Sequence, residues 1–138
     1  VPTARWLLTT LLLVLAAPAW AGLFGTDAPG RIPVPAQEFR ARVEDRAGVV
    51  LEIERATFDG EVYLFGTVGL AQVTVPFDTL RRVEVSPGPD EDHVVAHVLV
   101  KSGETQDVVV ESDRPLYGRT TFGNYRIEIG QVRSFEPR

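Results

Sequence analysis

The sequence predicts an all-β fold, a single domain of two tandem repeats, each of four to five short antiparallel strands, arranged as a small barrel or sandwich after an N-terminal signal helix. Three observations predict it. Beyond position 38, apolar residues alternate with polar ones at period two, the pattern of half-buried strands. Gly, Pro, Asn and Asp punctuate these runs as turn formers. The order of strands and turns in the first half returns in the second. No sustained 3.6-residue period follows Ala21, so a helical core is not expected.

The chain opens with one positive charge, Arg5, before an uninterrupted apolar run over residues 6–17. Pro18 ends that run, and the small-residue pattern Ala19-Trp20-Ala21 follows. These are the basic, apolar and cleavage regions of a secretory signal peptide, so residues 1–21 are assigned to one, with cleavage after Ala21. The rival is an uncleaved anchor, because no charge appears between Arg5 and Asp27 and a span needs ~20 residues. Pro18, Gly22 and Gly25 interrupt the stretch and favour cleavage. The chain has no Cys, which rules out a lipoprotein anchor and leaves folding to packing alone. Thirteen of the fourteen basic residues are Arg, and together with the opening Val1 this suits a GC-rich bacterial source.

Residues 22–38 read as a Pro/Gly-rich linker, since Pro29, Gly30, Pro33 and Pro35 impose extended or turn geometry. The all-β domain is placed at 39–138, with repeat one at 39–85, a linker at 86–92 and repeat two at 93–138. In repeat one, Phe39, Ala41 and Val43 form the inner side of a first strand. Gly48 closes a turn, and Val49, Leu51 and Ile53 return. Asp59-Gly60 marks a second turn before a short aromatic strand that Gly66 is expected to close. Val73, Val75 and Phe77 alternate next, and Arg81-Arg82 is expected in a tight turn before a last strand. Repeat two runs the same course through Val94, Ala96, Val98, Gly103, Val108, Leu116, Gly118, Tyr125, Ile127 and Ile129.

Segment 64–84 overlies 116–136 at a constant offset of 52, matching Leu64 with Leu116, Gly66 with Gly118, Arg81 with Arg133 and Glu84 with Glu136. Upstream the offset is 55, matching Ala41 with Ala96, Val43 with Val98 and Gly48 with Gly103. The three-residue change falls in a loop, where length is cheap. Units of this size bury too little alone, so one cooperative domain is expected.

Phe122-Gly123-Asn124-Tyr125, followed by Ile127, Ile129, Val132 and Phe135, resembles a recurring β-repeat of exported bacterial proteins, small SH3-like or Sm-like units of uncharacterised function. The resemblance covers residues 121–136; in repeat one, Leu70-Ala71 stands at the place of Phe122-Gly123. It implies architecture and an envelope location, and transfers no functional residues.

The chemistry-bearing residues are sparse. His93 and His97, beside Asp90, Glu91 and Asp92, have a four-residue spacing that would converge on a helix. On a strand their Cα atoms lie ~13 Å apart, so no metal site is expected. There is no Gly-x-Ser-x-Gly, and Ser86, Ser102, Ser112 and Ser134 sit near turns or strand ends, so no nucleophile triad is expected. Most acids alternate with apolar residues, as on a solvated face, and no helix follows Gly66 or Gly118 to cradle a phosphate. Tyr63, Phe65, Tyr117, Phe122 and Tyr125 form either a platform for sugar or peptide or, the preferred reading, core and cross-strand pairs.

Removing residues 1–21 takes away only Arg5 among charged residues, leaving 13 basic against 19 acidic residues and a net charge of −6. That balance disfavours nucleic acid and anionic lipid. The expected function is therefore a non-enzymatic structural or binding module of the bacterial cell envelope, periplasmic or secreted. Its partner is a protein or cell-envelope polymer, with no cofactor, no catalytic, cofactor-binding or metal residue, and no stable membrane anchor after cleavage. The alternatives are a small exported hydrolase, which needs a cleft with converging acids, and a carbohydrate-binding module, which needs a planar row of exposed aromatics.

Overall fold

A computed structural model describes residues 32–138. Residues 1–21, assigned above to a signal peptide, and most of residues 22–38, assigned to a linker, lie outside the described residues. Those described form an all-β domain whose ten strands share one antiparallel sheet.

Two hairpins begin the repeats. β1 (Ala41–Asp45) and β2 (Val50–Phe58) open repeat one, and β6 (His93–Val100) and β7 (Thr105–Glu111) open repeat two. Their turns are reversed by Gly48 (φ +82°) and Gly103 (φ +97°), as the matched glycines require. In the first turn Asp45 Oδ1 also accepts the N–H groups of Ala47 and Val49 at 2.9 and 3.0 Å. A second pair of hairpins follows, β3 (Tyr63–Val68) with β4 (Ala71–Pro76), and β8 (Pro115–Thr120) with β9 (Gly123–Glu128). Each then passes through a 3-10 turn, Phe77–Thr79 or Ile129–Gln131, into β5 (Leu80–Pro87) or β10 (Val132–Pro137).

The sheet order is β4-β3-β7-β6-β5-β10-β1-β2-β8-β9. Exchanging each strand for its repeat equivalent reads this order backwards, so the duplication is a pseudo-two-fold whose centre lies between β5 and β10. The halves are also interlocked. Hairpin β3–β4 of repeat one pairs with β7, and hairpin β8–β9 of repeat two pairs with β2. Each five-strand set, β10-β1-β2-β8-β9 or β5-β6-β7-β3-β4, therefore draws on both repeats.

The core lies inside this exchange. The ring of Phe77 meets those of Phe39 and Phe135 at centroid distances of 5.6 and 5.3 Å, joining both repeats. Phe77, Phe135, Phe58, Leu64 and Leu116 are essentially without solvent contact. Each such side chain contributes about 1.5–3 kcal/mol relative to exposure. Repeat-equivalent positions share environments. Phe77 and Ile129 are buried, Val75 and Ile127 are half-buried against the core, and Thr74 and Arg126 are exposed.

Three local expectations change. Gly66 does not close its strand but sits within β3, as Gly118 sits within β8, where neighbours come too near for a Cβ. Arg81 and Arg82 belong to β5, because the 3-10 turn Phe77–Thr79 has already made the connection from β4 and β5 starts at Leu80. The stretch 86–92 gives Ser86 and Pro87 to β5 and uses 88–92 to close the β5–β6 hairpin. β2 also bends at Arg55 (φ +52°), a bulge where it leaves β1 and joins β8.

Candidate functional site

Strands β5, β6, β7, β3 and β4 turn one face to the core and the other to solvent. Val83, Val98 and Val108 point inward. Alternation then puts Ser86, Val95, His97, Asp107, Val109 and Glu111 on the outer face. Register aligns Ser86, Val95, Val109, Thr67 and Gln72 as one row across the five strands. The next row brings His97 directly opposite Asp107, and the opposite flank brings His93 opposite Glu111.

At the β3–β4 end of this face lies a cleft of about 490 Å³ lined by residues including Tyr63, Phe65, Thr67, Thr74, Val109 and Arg114. Phe65 is its aromatic wall, seated edge-on against buried Phe58 at 4.8 Å. Arg114 lies 5.4 Å from the Phe65 ring centroid. Its guanidinium donates to Asp59 Oδ2 at 2.8 Å and pairs with Glu111 Oε2 at 2.7 Å. Asp59 lies in the β2–β3 loop, Glu111 ends β7 and Arg114 lies in the β7–β8 connection, so the clasp ties that loop to that connection. Glu61 adds a third carboxylate to the lining. In the other half Thr74 is replaced by Arg126, whose guanidinium sits 6.0 Å from the Tyr117 ring centroid. The short Thr74 leaves the space beside Phe65 that Arg126 takes beside Tyr117.

A second constellation stands on the same face. Ser86 Oγ lies 2.7 Å from His97 Nε2, and His97 Nδ1 lies 2.6 Å from Asp107 Oδ1. An ionised carboxylate only accepts, so Nδ1 donates to Asp107, and the tautomer protonated there alone leaves Nε2 to accept from the Ser86 hydroxyl. The three groups stand in the order that a nucleophile, its base and an orienting carboxylate take. Sequence spacing does not show this meeting, because the three residues lie on three strands and only the β5–β6–β7 register joins them. The available signal was weak: each holds a polar position in its strand's alternation.

His93 and His97 both lie on β6, as their strand pattern implies, and each has its own carboxylate, Asp90 for His93 at 2.7 Å and Asp107 for His97. Among the described residues, no group of three or more His, Asp or Glu converges as a metal site. The aromatic set divides. Tyr117 is buried, and Phe122 stands 78% exposed at the β8–β9 turn. Tyr125 is half-buried, and burial, followed by the Asp45 charge, pushes its phenol up to about 12. Tyr63 and Phe65 join the cleft.

No curated protein and no solved structure matches the chain. A family model described as "Uncharacterised protein" matches residues 35–137, which takes in the whole sheet, so the chain belongs to that family.

Proposed function

We propose that this chain is an exported binding module of the bacterial cell envelope, and that its cleft takes an extended segment of a protein partner through a basic side chain. The observation that carries the reading is the cleft's charge balance. Asp59, Glu61 and Glu111 stand against the guanidinium of Arg114, already committed to Asp59 and Glu111, and the imidazole of His93, already paired with Asp90, so Glu61 is the carboxylate left for a ligand. A lysine or arginine stem fits beside Phe65 and Tyr63 with its charge toward Glu61. β4 forms the rim and, among the described residues, pairs only with β3, so its outer edge offers backbone groups to an added strand.

The signal-like residues 1–21 support export, and the β-repeat resemblance supports an envelope setting. Strand order, with a 3-10 turn before β5 and β10, supports reading each five-strand set as an SH3-like barrel. The carbohydrate reading gains no such support, because the Tyr63 and Phe65 rings are inclined at 62° and offer no flat platform.

The test is fluorescence anisotropy with two labelled peptides, alternating Val-Lys and alternating Val-Glu. The Val-Lys peptide should bind, more weakly at high salt, and Glu61→Lys should weaken it roughly tenfold, about 1.4 kcal/mol. Equal affinity for both peptides, or indifference to Glu61→Lys, would sink the proposal.

A further inference from the structure

We infer that Ser86 is an acyl-accepting nucleophile, activated by His97 and Asp107, that takes acyl groups from esters presented on the outer face of the sheet. This goes beyond the binding reading and does not depend on it. The reasons are geometric. The hydroxyl lies 2.7 Å from His97 Nε2, within the reach required of a nucleophile and its base. Asp107, at 2.6 Å from Nδ1, fixes the tautomer that leaves Nε2 free to accept. Three residues from three strands meet in this order, whereas the repeat-equivalent positions Arg138 and Glu52 form a simple ion pair at 3.5 Å. Duplication therefore supplied the scaffold, and only one half carries the nucleophile.

The position also suits access. β5 pairs with β10 at Val83 and Glu84, and Ser86 lies beyond that pairing. Ser86 shares its row with Val95 and Val109, and Val109 borders the cleft. At ~4.8 Å between strands, Ser86 stands ~10 Å from Val109, so a ligand reaching out of the cleft along the row arrives at the hydroxyl.

The step balances without an outside reagent. Ser86 Oγ bonds to the acyl carbon of an ester as its proton passes to His97 Nε2. The bond from that carbon to the alcohol oxygen breaks, and the imidazolium returns the proton to the leaving alkoxide. The products are a Ser86 ester and a free alcohol; water attacking by the same route would release the acid and restore Ser86. The flat, solvated setting lacks the enclosed electrostatic stabilisation that supplies much of hydrolase rate, and this slows both steps; with an activated ester the good leaving group assists acylation alone, so acyl uptake outruns turnover.

The experiment treats the folded chain with p-nitrophenyl acetate and follows p-nitrophenolate release together with peptide mass mapping. The expected result is a burst of about one equivalent with a single acetyl group on the peptide containing Ser86. Ser86→Ala should abolish the adduct, and His97→Gln should slow it roughly a hundredfold, the usual scale of a positioned base. Circular dichroism identical to that of the parent chain establishes that both variants fold. Ser102→Ala, in the β6–β7 turn and outside both sites, should leave the burst unchanged, and p-nitrophenyl acetate carries no basic group for the peptide cleft, which separates this inference from failure of that reading. Acetylation elsewhere, an undiminished burst in Ser86→Ala, or a rate at Ser86 no higher than at Ser102 would overturn it.

Discussion

His93 and Asp90 meet at the β5–β6 turn, Nδ1 to Oδ1 at 2.7 Å, with the Asp92 N–H also donating to Asp90 Oδ1 at 2.9 Å. The hydrogen bond to Asp90, against a smaller opposing effect of desolvation, holds the His93 pKa above its usual 6.5. The same bond holds Asp90 below its usual 3.8. For His93, whose folded pKa is raised, the contribution is full below about 6.5 and is lost as pH rises through the folded value. For Asp90, whose folded pKa is lowered, it is full above about 3.8 and is lost as pH falls through the folded value. The loop is therefore held best at roughly pH 4–6. An NMR titration should give His93 a midpoint above 6.5 that falls in Asp90→Asn; a parent midpoint at or below 6.5 would remove the pair from the account. At this scale the sequence was legible where one residue type answers to one backbone need, as at Gly48 and Gly103. It was opaque at Arg55, whose φ of +52° comes from the β2 bulge rather than from any preference of arginine. It was opaque again at Ser86, His97 and Asp107, whose meeting is a product of register.

Strands β3 and β8 each carry a glycine for the same physical reason, close approach of the strand they exchange onto. A Cβ on Gly66 would lie 2.3 Å from the carbonyl oxygen of Val109, and one on Gly118 would lie 2.7 and 2.8 Å from Ile53 Cδ1 and Cβ. The Cδ1 tip can move aside, but Ile53 Cβ, like the Val109 carbonyl, moves only with its strand, and the Gly66 contact is the tighter of the two. Gly66→Ala should therefore cost about 3 kcal/mol and Gly118→Ala about 2 kcal/mol, within the usual range for overpacking. Urea unfolding of the two variants checks both the sizes and their order, and a neutral Gly66→Ala would mean that β3 does not approach β7 as described. Strand existence and facing were legible here because period two dictates which side chains turn inward. Pairing was not legible. The alternation in β3 would serve equally well beside β2, and no local residue says that it crosses to β7.

Exchange of the hairpins makes the molecule one folding unit. Neither five-strand set can close from one repeat, since β1–β2 depends on β8–β9 and β6–β7 depends on β3–β4. Phe77 is the sharpest probe, because its ring touches Phe39 of its own repeat and Phe135 of the other. Phe77→Ala removes both contacts from a site with almost no solvent access, and cavity formation should cost about 3–5 kcal/mol. The lost stability belongs to the whole sheet, so thermal unfolding should remain a single transition at lower temperature. Hydrogen exchange should accelerate by the same factor at amides of β1 in repeat one and of β6 in repeat two, since global opening would govern both. Faster exchange in repeat one alone, or a second transition, would mean that the repeats unfold separately and that exchange of hairpins does not bind them.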